Sequence, residues 1–241
     1  MNDERFYRRW VRSEDLITFE VAVGETDLMI ACDKPLDGVA RDSAVRHRRE
    51  IEQHIERNEA FRTSLAPLPI IEGDNIPPVV SAMISASKSA GVGPMAAVAG
   101  AMAEFVGRDL LVSCREIIVE NGGDIFLRTR KTRTFGLFAG NSPFSGTVAL
   151  EVDPDEDGLG VCTSSGTVGH SLSFGKADAV VVIAHDAALA DAVATAAGNM
   201  VRTETDAESA VRFARTVVGV RAALCFSGKT MASWGSGFKI V

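Results

Sequence analysis

The chain has 241 residues and a mass of 25.6 kDa, enough for one large domain or two small ones around a shared core. Hydrophobic residues make up 46% and charged residues 24%. This excludes a disordered chain, which needs low hydrophobicity with high net charge. The net charge of −7 makes nucleic acid a poor partner, because an acidic surface repels phosphate backbones. No apolar stretch runs uninterrupted for ~18 residues, so no membrane-spanning helix is expected. The residues from Met1 to Trp10 are charged with no apolar run behind them, so neither a secretory signal nor a lipidation site is expected there. Cys32, Cys114, Cys162 and Cys225 lie far apart and form no C-x-x-C pair, as expected for small buried cysteines of a cytoplasmic protein.

Along the chain, residues 16–23 alternate and residues 28–32 return after a Gly24–Asp27 turn, which predicts a hairpin. Residues 41–61 read as an amphipathic helix with Val45, Ile51, Ile55 and Phe61 as its apolar stripe. Its charged faces read as solvated i,i+4 ion pairs or as an anion site. A proline-rich crossing, 67–78, leads to two apolar helices, 79–90 and 94–106, broken at Gly91–Pro94. That break is either a phosphate-holding helix start or a close helix corner. Strand signals follow at 116–120, 125–130, 134–139, 146–152 and 159–163. The last part predicts a buried strand at 179–184, helices from 186 to 199 and 207 to 217, and strands at 220–226 and 238–241. Runs of hairpins favour antiparallel sheets with packed helices, an α+β fold.

Three constellations carry chemistry. In Asn121-Gly122-Gly123-Asp124 the two glycines permit positive φ and close ligand approach, or make a plain hairpin turn. The loop from Cys162 to Ser171 concentrates hydroxyls and glycines in Thr163, Ser164, Ser165, Gly166 and Thr167, a composition suited to phosphates. Its His170 is a candidate general acid/base, with an ordinary polar loop as the alternative. Asp191 and Thr195 lie four apart on one helical face and can offer oxygens to Mg²⁺; an acid early in a helix is also favourable with the dipole. In the segment after the loop, Lys176 and Asp178 are either a buried structural pair or a substrate contact. The run Arg128–Arg133 reads as a charge-protected edge strand or an anion clamp.

Together these segments resemble a known family. Val119-Glu120-Asn121-Gly122-Gly123-Asp124-Ile125 is similar to the V-x-x-G-G-D-I signature of the ApbE family. Ser165-Gly166 resembles its S-G turn, and Asp191-Ala192-Val193-Ala194-Thr195-Ala196 its D-A-x-x-T-A helix. Residues 163–170, followed by 174–179, look like the compact ApbE-like branch. The resemblance implies a duplicated T-fold-like architecture, one domain whose halves are about 1–110 and 111–241. It implies Mg²⁺-dependent chemistry on FAD, as in FAD:protein FMN transferases. Asp191 and Thr195 would then bind the metal. Gly122, Gly123, Asp124 and the loop 163–167 would bind the flavin nucleotide. His170 is followed here by Ser-Leu-Ser-Phe-Gly-Lys rather than by the transferases' D-P-x-T-G, and no lysine follows Gly93.

The reading expected first is an enzyme acting on a flavin or nucleotide ligand, with a homodimer as the assembly considered. The alternatives are a non-catalytic flavin or anion binder, or an accessory factor in sulfur assimilation with Cys162 as its thiol.

Overall fold

The sheet is built by side-chain alternation. The structure is a computed structural model that describes residues 15–69, 75–137, 139, 142–166 and 175–241. Eight strands form an antiparallel sheet in the order β1 (Ile17–Val23), β2 (Thr26–Cys32), β3 (Ile117–Asn121), β4 (Asp124–Arg128), β7 (Leu159–Ser164), β8 (Ala179–Ala184), β9 (Val220–Ser227) and β10 (Thr230–Gly235). β5 (Arg133–Gly136), β6 (Ala149–Val152) and β11 (Phe238–Ile240) form a second, three-stranded sheet.

The run Ala179–Ala184 shows why β8 has no polar face. Val180, Val182 and Ala184 enter the core beneath the helices, while Ala179, Val181 and Ile183 pack with Phe135, Leu150 and Val152 of the small sheet. Successive side chains point to opposite faces, so a strand covered on both sides is apolar throughout. The protein therefore has three layers: helices, large sheet and small sheet. The fold is α+β, as the hairpin pattern predicts.

The helices are α1 (Asp37–Arg57), α2 (Ala60–Thr63), α3 (Pro78–Ala90), α4 (Val98–Leu110), α5 (Ala187–Met200) and α6 (Ala207–Thr216). Among the described residues no single helix is long and apolar enough to cross a membrane. The expected helix 41–61 splits into α1 and α2, and Val45 is exposed rather than on the buried stripe. The inward face of α1 instead carries Ala40, Ser43, Ala44, His47 and Ile51. Ser43 and His47 can be buried because Asp109 of α4 takes a hydrogen bond from each. The charged faces of α1 include the expected i,i+4 pair, Arg48 with Glu52 at 2.8 Å.

The apolar stretch after Pro94 begins as a 3₁₀ turn at Pro94–Ala97 and becomes helical only at Val98. A Cβ on Gly93 would lie 1.8 Å from the Ser64 carbonyl oxygen. This glycine therefore serves close backbone packing, which supports the corner reading of the break. Arg133 begins β5, an edge of the small sheet, and is buried between Asp15 and Glu116. Its guanidinium is thus engaged by protein carboxylates, which argues against the clamp, but the run is not one edge strand either: Arg128 ends the interior strand β4 and residues 129–132 connect it to β5. Strand β10 is not anticipated by the sequence pattern.

Helix α5 lies directly against β7. A Cβ on Gly160 would sit 2.3 Å from Ala187 Cα and 2.5 Å from Asp186 O. Both neighbours are backbone, so neither can swing aside. Gly160→Ala is expected to lower stability by about 3 kcal/mol, the upper range for an overpacked site. It should appear as a lower urea midpoint at unchanged slope.

Candidate functional site

The hairpin between β3 and β4 closes with Gly122 at φ 66° and Gly123 at φ 104°. Asn121 pairs with Asp124 across it, so the turn has two residues, both with positive φ. That is type I′ geometry, which only residues such as glycine enter easily. Among the described residues nothing comes within 4 Å of a Cβ on Gly122. The turn is held from two sides. The Gly123 N–H donates to Glu120 Oε1 at 2.8 Å, and Asn121 Nδ2 donates to the Ala99 carbonyl at 3.1 Å.

Register then assembles the site. Asp124 lies opposite Cys162 in the β4–β7 ladder. Asp124, Cys162 and Ser164 project toward α5, whereas alternation sends the Thr163 side chain to the other face. Across the gap stands Asp191 of α5. Its Oδ2 accepts the Gly100 N–H at 2.9 Å, and the Ala99 N–H also bonds this carboxylate. Asp191 thus closes the N-terminal turn of α4, and Glu104 of α4 closes that of α5 by accepting from Ala187 N at 2.8 Å and Ala188 N at 3.4 Å.

Asp124 and Asp191 are both buried. Burial pushes the Asp191 carboxyl up to about 7 against the two amide bonds that favour its charge. Burial, then the neighbouring Asp191 charge, pushes Asp124 well above the usual carboxylate range. No cationic side chain among the described residues figures in either environment. Asp124 Oδ1 is buried and has no hydrogen-bond partner among the described residues. A buried acceptor without a donor is unusual enough to require an explanation.

The structure brings Gly122, Gly123, Asp124, Ser164 and Asp191 together. Thr195 follows Asp191 by one turn of α5 and is half-buried. Thr163 contributes main chain only, its carbonyl 4.0 Å from a Cβ on Gly123. Ser165 and Gly166 continue from β7, and the Gly166 N–H donates to the Ala177 carbonyl at 2.9 Å. A Cβ on Gly166 would sit 2.3 Å from Gly175 O, and one on Gly175 would sit 1.8 Å from Gly198 O, so the base of the loop is pinned to the end of α5. Thr167 and His170 lie outside the described residues. Lys176 is exposed, and half-buried Asp178 accepts the Gly228 N–H at 2.7 Å, which makes Asp178 a backbone anchor. Sequence reasoning missed Glu104, and it placed Glu120 and Asn121 in the turn motif without giving either a role. Glu104 carried a usable signal, a single acid inside the apolar run 94–107, because acids are almost never fully buried without partners.

A family model described as "AbpE bacteria" matches residues 8–218. The chain belongs to this ApbE-like family. A UPF0280 protein of Methanococcus maripaludis is 42% identical over 184 residues, 75% of this chain and 74% of that one. A UPF0280 protein of Methanocella arvoryzae is 39% identical over 225 residues, 93% and 91% of the two chains. Among solved structures, apo flavinyl transferase ApbE from Pseudomonas stutzeri superposes with a TM-score of 0.58 at 13% identity, covering 92% of this chain and 94% of that one. The ApbE protein of Thermotoga maritima gives 0.56 at 12% identity, covering 92% and 97%. At such identities the likeness is one of fold.

The donors in this ApbE-like site are oxygens: two carboxylates, the Thr195 hydroxyl one turn from Asp191, and the Ser164 hydroxyl. Among the described residues no three His, Cys, Asp or Glu side chains stand together as a metal-ligand set. The residues therefore fit a hard cation that takes one or two carboxylates and draws its other ligands from water and substrate, as Mg²⁺ does. They do not form a complete protein cage. Cys162 fits no thiol chemistry. It is fully buried, its Sγ donates to the Ala187 carbonyl at 3.3 Å, and burial raises its thiol well above the ordinary value. Iodoacetamide at pH 8 should leave Cys162 unlabelled in the native protein and label it after denaturation, as read by peptide mass. Native labelling would contradict the burial argument.

The carboxylate pair also sets a pH dependence. Both groups ionise near pH 4 in an unfolded chain, whereas Asp191 does so at about 7 in the fold and Asp124 is raised well above its ordinary value. Between those limits the native state holds more protons, so this pair lowers stability as pH rises. Asp124→Asn removes one like charge. Without added metal, the stability of D124N relative to the parent should improve steadily from about pH 4 to about pH 7 in urea titrations. A difference independent of pH would show that the two groups do not interact.

Proposed function

We propose that this site binds the pyrophosphate of a flavin dinucleotide together with Mg²⁺, as an FAD-cleaving, FMN-transfer-like enzyme would. The observation that carries the reading is the buried pair Asp124 and Asp191, which among the described residues has no cationic side chain acting on it and one carboxylate oxygen without a partner. Two buried like charges need either protons or a cation. Asp191 and Thr195 would hold the ion, together with Asp124. When bound, Mg²⁺ supplies neutralisation of charge on the phosphates. The Gly122–Gly123 turn lets a ligand lie against the backbone without a Cβ in its way. Ser164 and the start of the loop would donate to phosphate oxygens, and His170 is assigned the general acid/base role in leaving-group protonation. The fold shared with flavin transferases supports the same reading.

A second reading has its own support. The Gly93 corner that precedes α4 is filled by the Ser64 carbonyl and carries Pro94 rather than a lysine. A ligand-handling position is thereby replaced by packing, which favours a flavin-binding protein without turnover.

Purified protein incubated with FAD and Mg²⁺, followed by chromatography for FMN and AMP, distinguishes these. Turnover is expected, with loss of at least 100-fold in Asp191→Ala and on chelation by EDTA. FAD binding by equilibrium dialysis without products would select the second reading. Neither binding nor products would defeat both. Circular dichroism of the variant separates lost function from lost fold.

A further inference from the structure

On the far side of α4 from the carboxylates, the end of β2 is laced to the segment that follows α4. Cys32 is the last residue of β2 and pairs in register with Ile117 of β3. Asp33 Oδ1 accepts the Arg115 N–H at 2.9 Å, and Lys34 Nζ donates to the Ser113 carbonyl. These contacts flank Cys114 on both sides and set it beside Cys32, whose own Sγ donates to the Lys34 carbonyl at 2.7 Å. Both thiols are free and buried, yet only one layer deep, because Asp33, Lys34, Ser113 and Arg115 are exposed. Two buried thiols set side by side by a strand register and two side-chain ties are placed to react with each other.

We propose that Cys32 and Cys114 form a redox-active dithiol that a peroxide closes to an intramolecular disulfide. The Cys32 sulfur attacks the peroxide, giving a sulfenic acid and releasing water. The Cys114 sulfur then displaces the sulfenic oxygen as a second water. In sum two thiols and one hydrogen peroxide give one disulfide and two waters. The neighbouring Cys114 thiol brings the Cys32 thiol down to about 7 despite its burial, which favours Cys32 as the attacking sulfur. Cys162 and Cys225 lack this activation, since burial raises both thiols. The bond would fasten β2 to the C-terminal end of α4. It rests on none of the residues assigned to the flavin site.

The test is thiol counting on the whole native protein. After treatment with hydrogen peroxide and denaturing quench with a maleimide, free thiols should fall from four to two, and dithiothreitol should restore all four. Peptide mapping should find Cys32 joined to Cys114 in monomeric protein. In C114A no linked peptide should form, with far-UV circular dichroism matching the parent. The idea is overturned if four thiols survive a dose that fully oxidises glutathione, or if the linked peptide joins any other pair or two chains. The map of the parent protein decides this even where a variant fails to fold.

Discussion

Two buried carboxylates each close the start of the other's helix, and the arrangement of the site follows from that exchange. Asp191 of α5 receives the first amides of α4, and Glu104 of α4 receives those of α5. The first N–H groups of any helix lack partners within it. Here both helix starts are buried, so water cannot satisfy them, and each orphaned donor would cost about 1–3 kcal/mol. Reciprocal capping removes that penalty and fixes the two helices in one relative position. Glycines permit the approach. A Cβ on Gly100 would lie 2.2 Å from the Ala187 carbonyl oxygen. With Gly160 allowing the same closeness from β7, helix, helix and strand converge on Ala187, and the site is set by backbone contact rather than by adjustable side chains.

The two acids are not equivalent. Glu104 is fully engaged, by two amides and by Arg108 at 2.7 Å. Its carboxyl is raised by burial and by Asp186, and Arg108 opposes that shift. Asp191 has the amides but, among the described residues, no cation, and its charge acts on Asp124. A chain selected only for stability would place an arginine or a neutral amide there. Departures from local consistency cluster where proteins bind or react, and this one sits beside a turn whose two glycines leave the backbone bare. The same helix α4 is tied at both ends, by Asp191 and Asn121 at its start and through Ser113 and Arg115 to β2 beyond its end. It gives the carboxylates a rigid floor.

Local features were legible in the sequence, while features decided by distant partners were not. The Asn121–Asp124 turn could be read because two glycines in a hairpin dictate their own φ. The apolar run of β8 declared a strand covered on both faces. By contrast, Val45 was assigned to the core by periodicity alone, yet His47 and Ser43 are inside because Asp109, more than sixty residues away, satisfies them. Strand β10 escaped notice since Thr230–Gly235 alternates between half-buried and exposed and has few strong strand formers. Its pairing comes from β9. The helix predicted from Pro94 starts at Val98, because the corner packs onto Ser64 and tightens the first turn.

The candidate site divides the same way. Asp191 and Thr195 were readable as neighbours on a helix, and Asp124 as the end of a turn, but no spacing rule joins residues 124 and 191. Only the β4–β7 register and the placement of α5 on β7 do so. Nor could sequence reveal which acid has spare capacity. The Asp191 carboxylate accepts from the Gly100 and Ala99 amides of α4, and releasing it would orphan both. Asp124 keeps an oxygen with no partner among the described residues. Asp124 Oδ1 is thus the oxygen left open at the site, and the Asp191 carboxylate the one held by the helix.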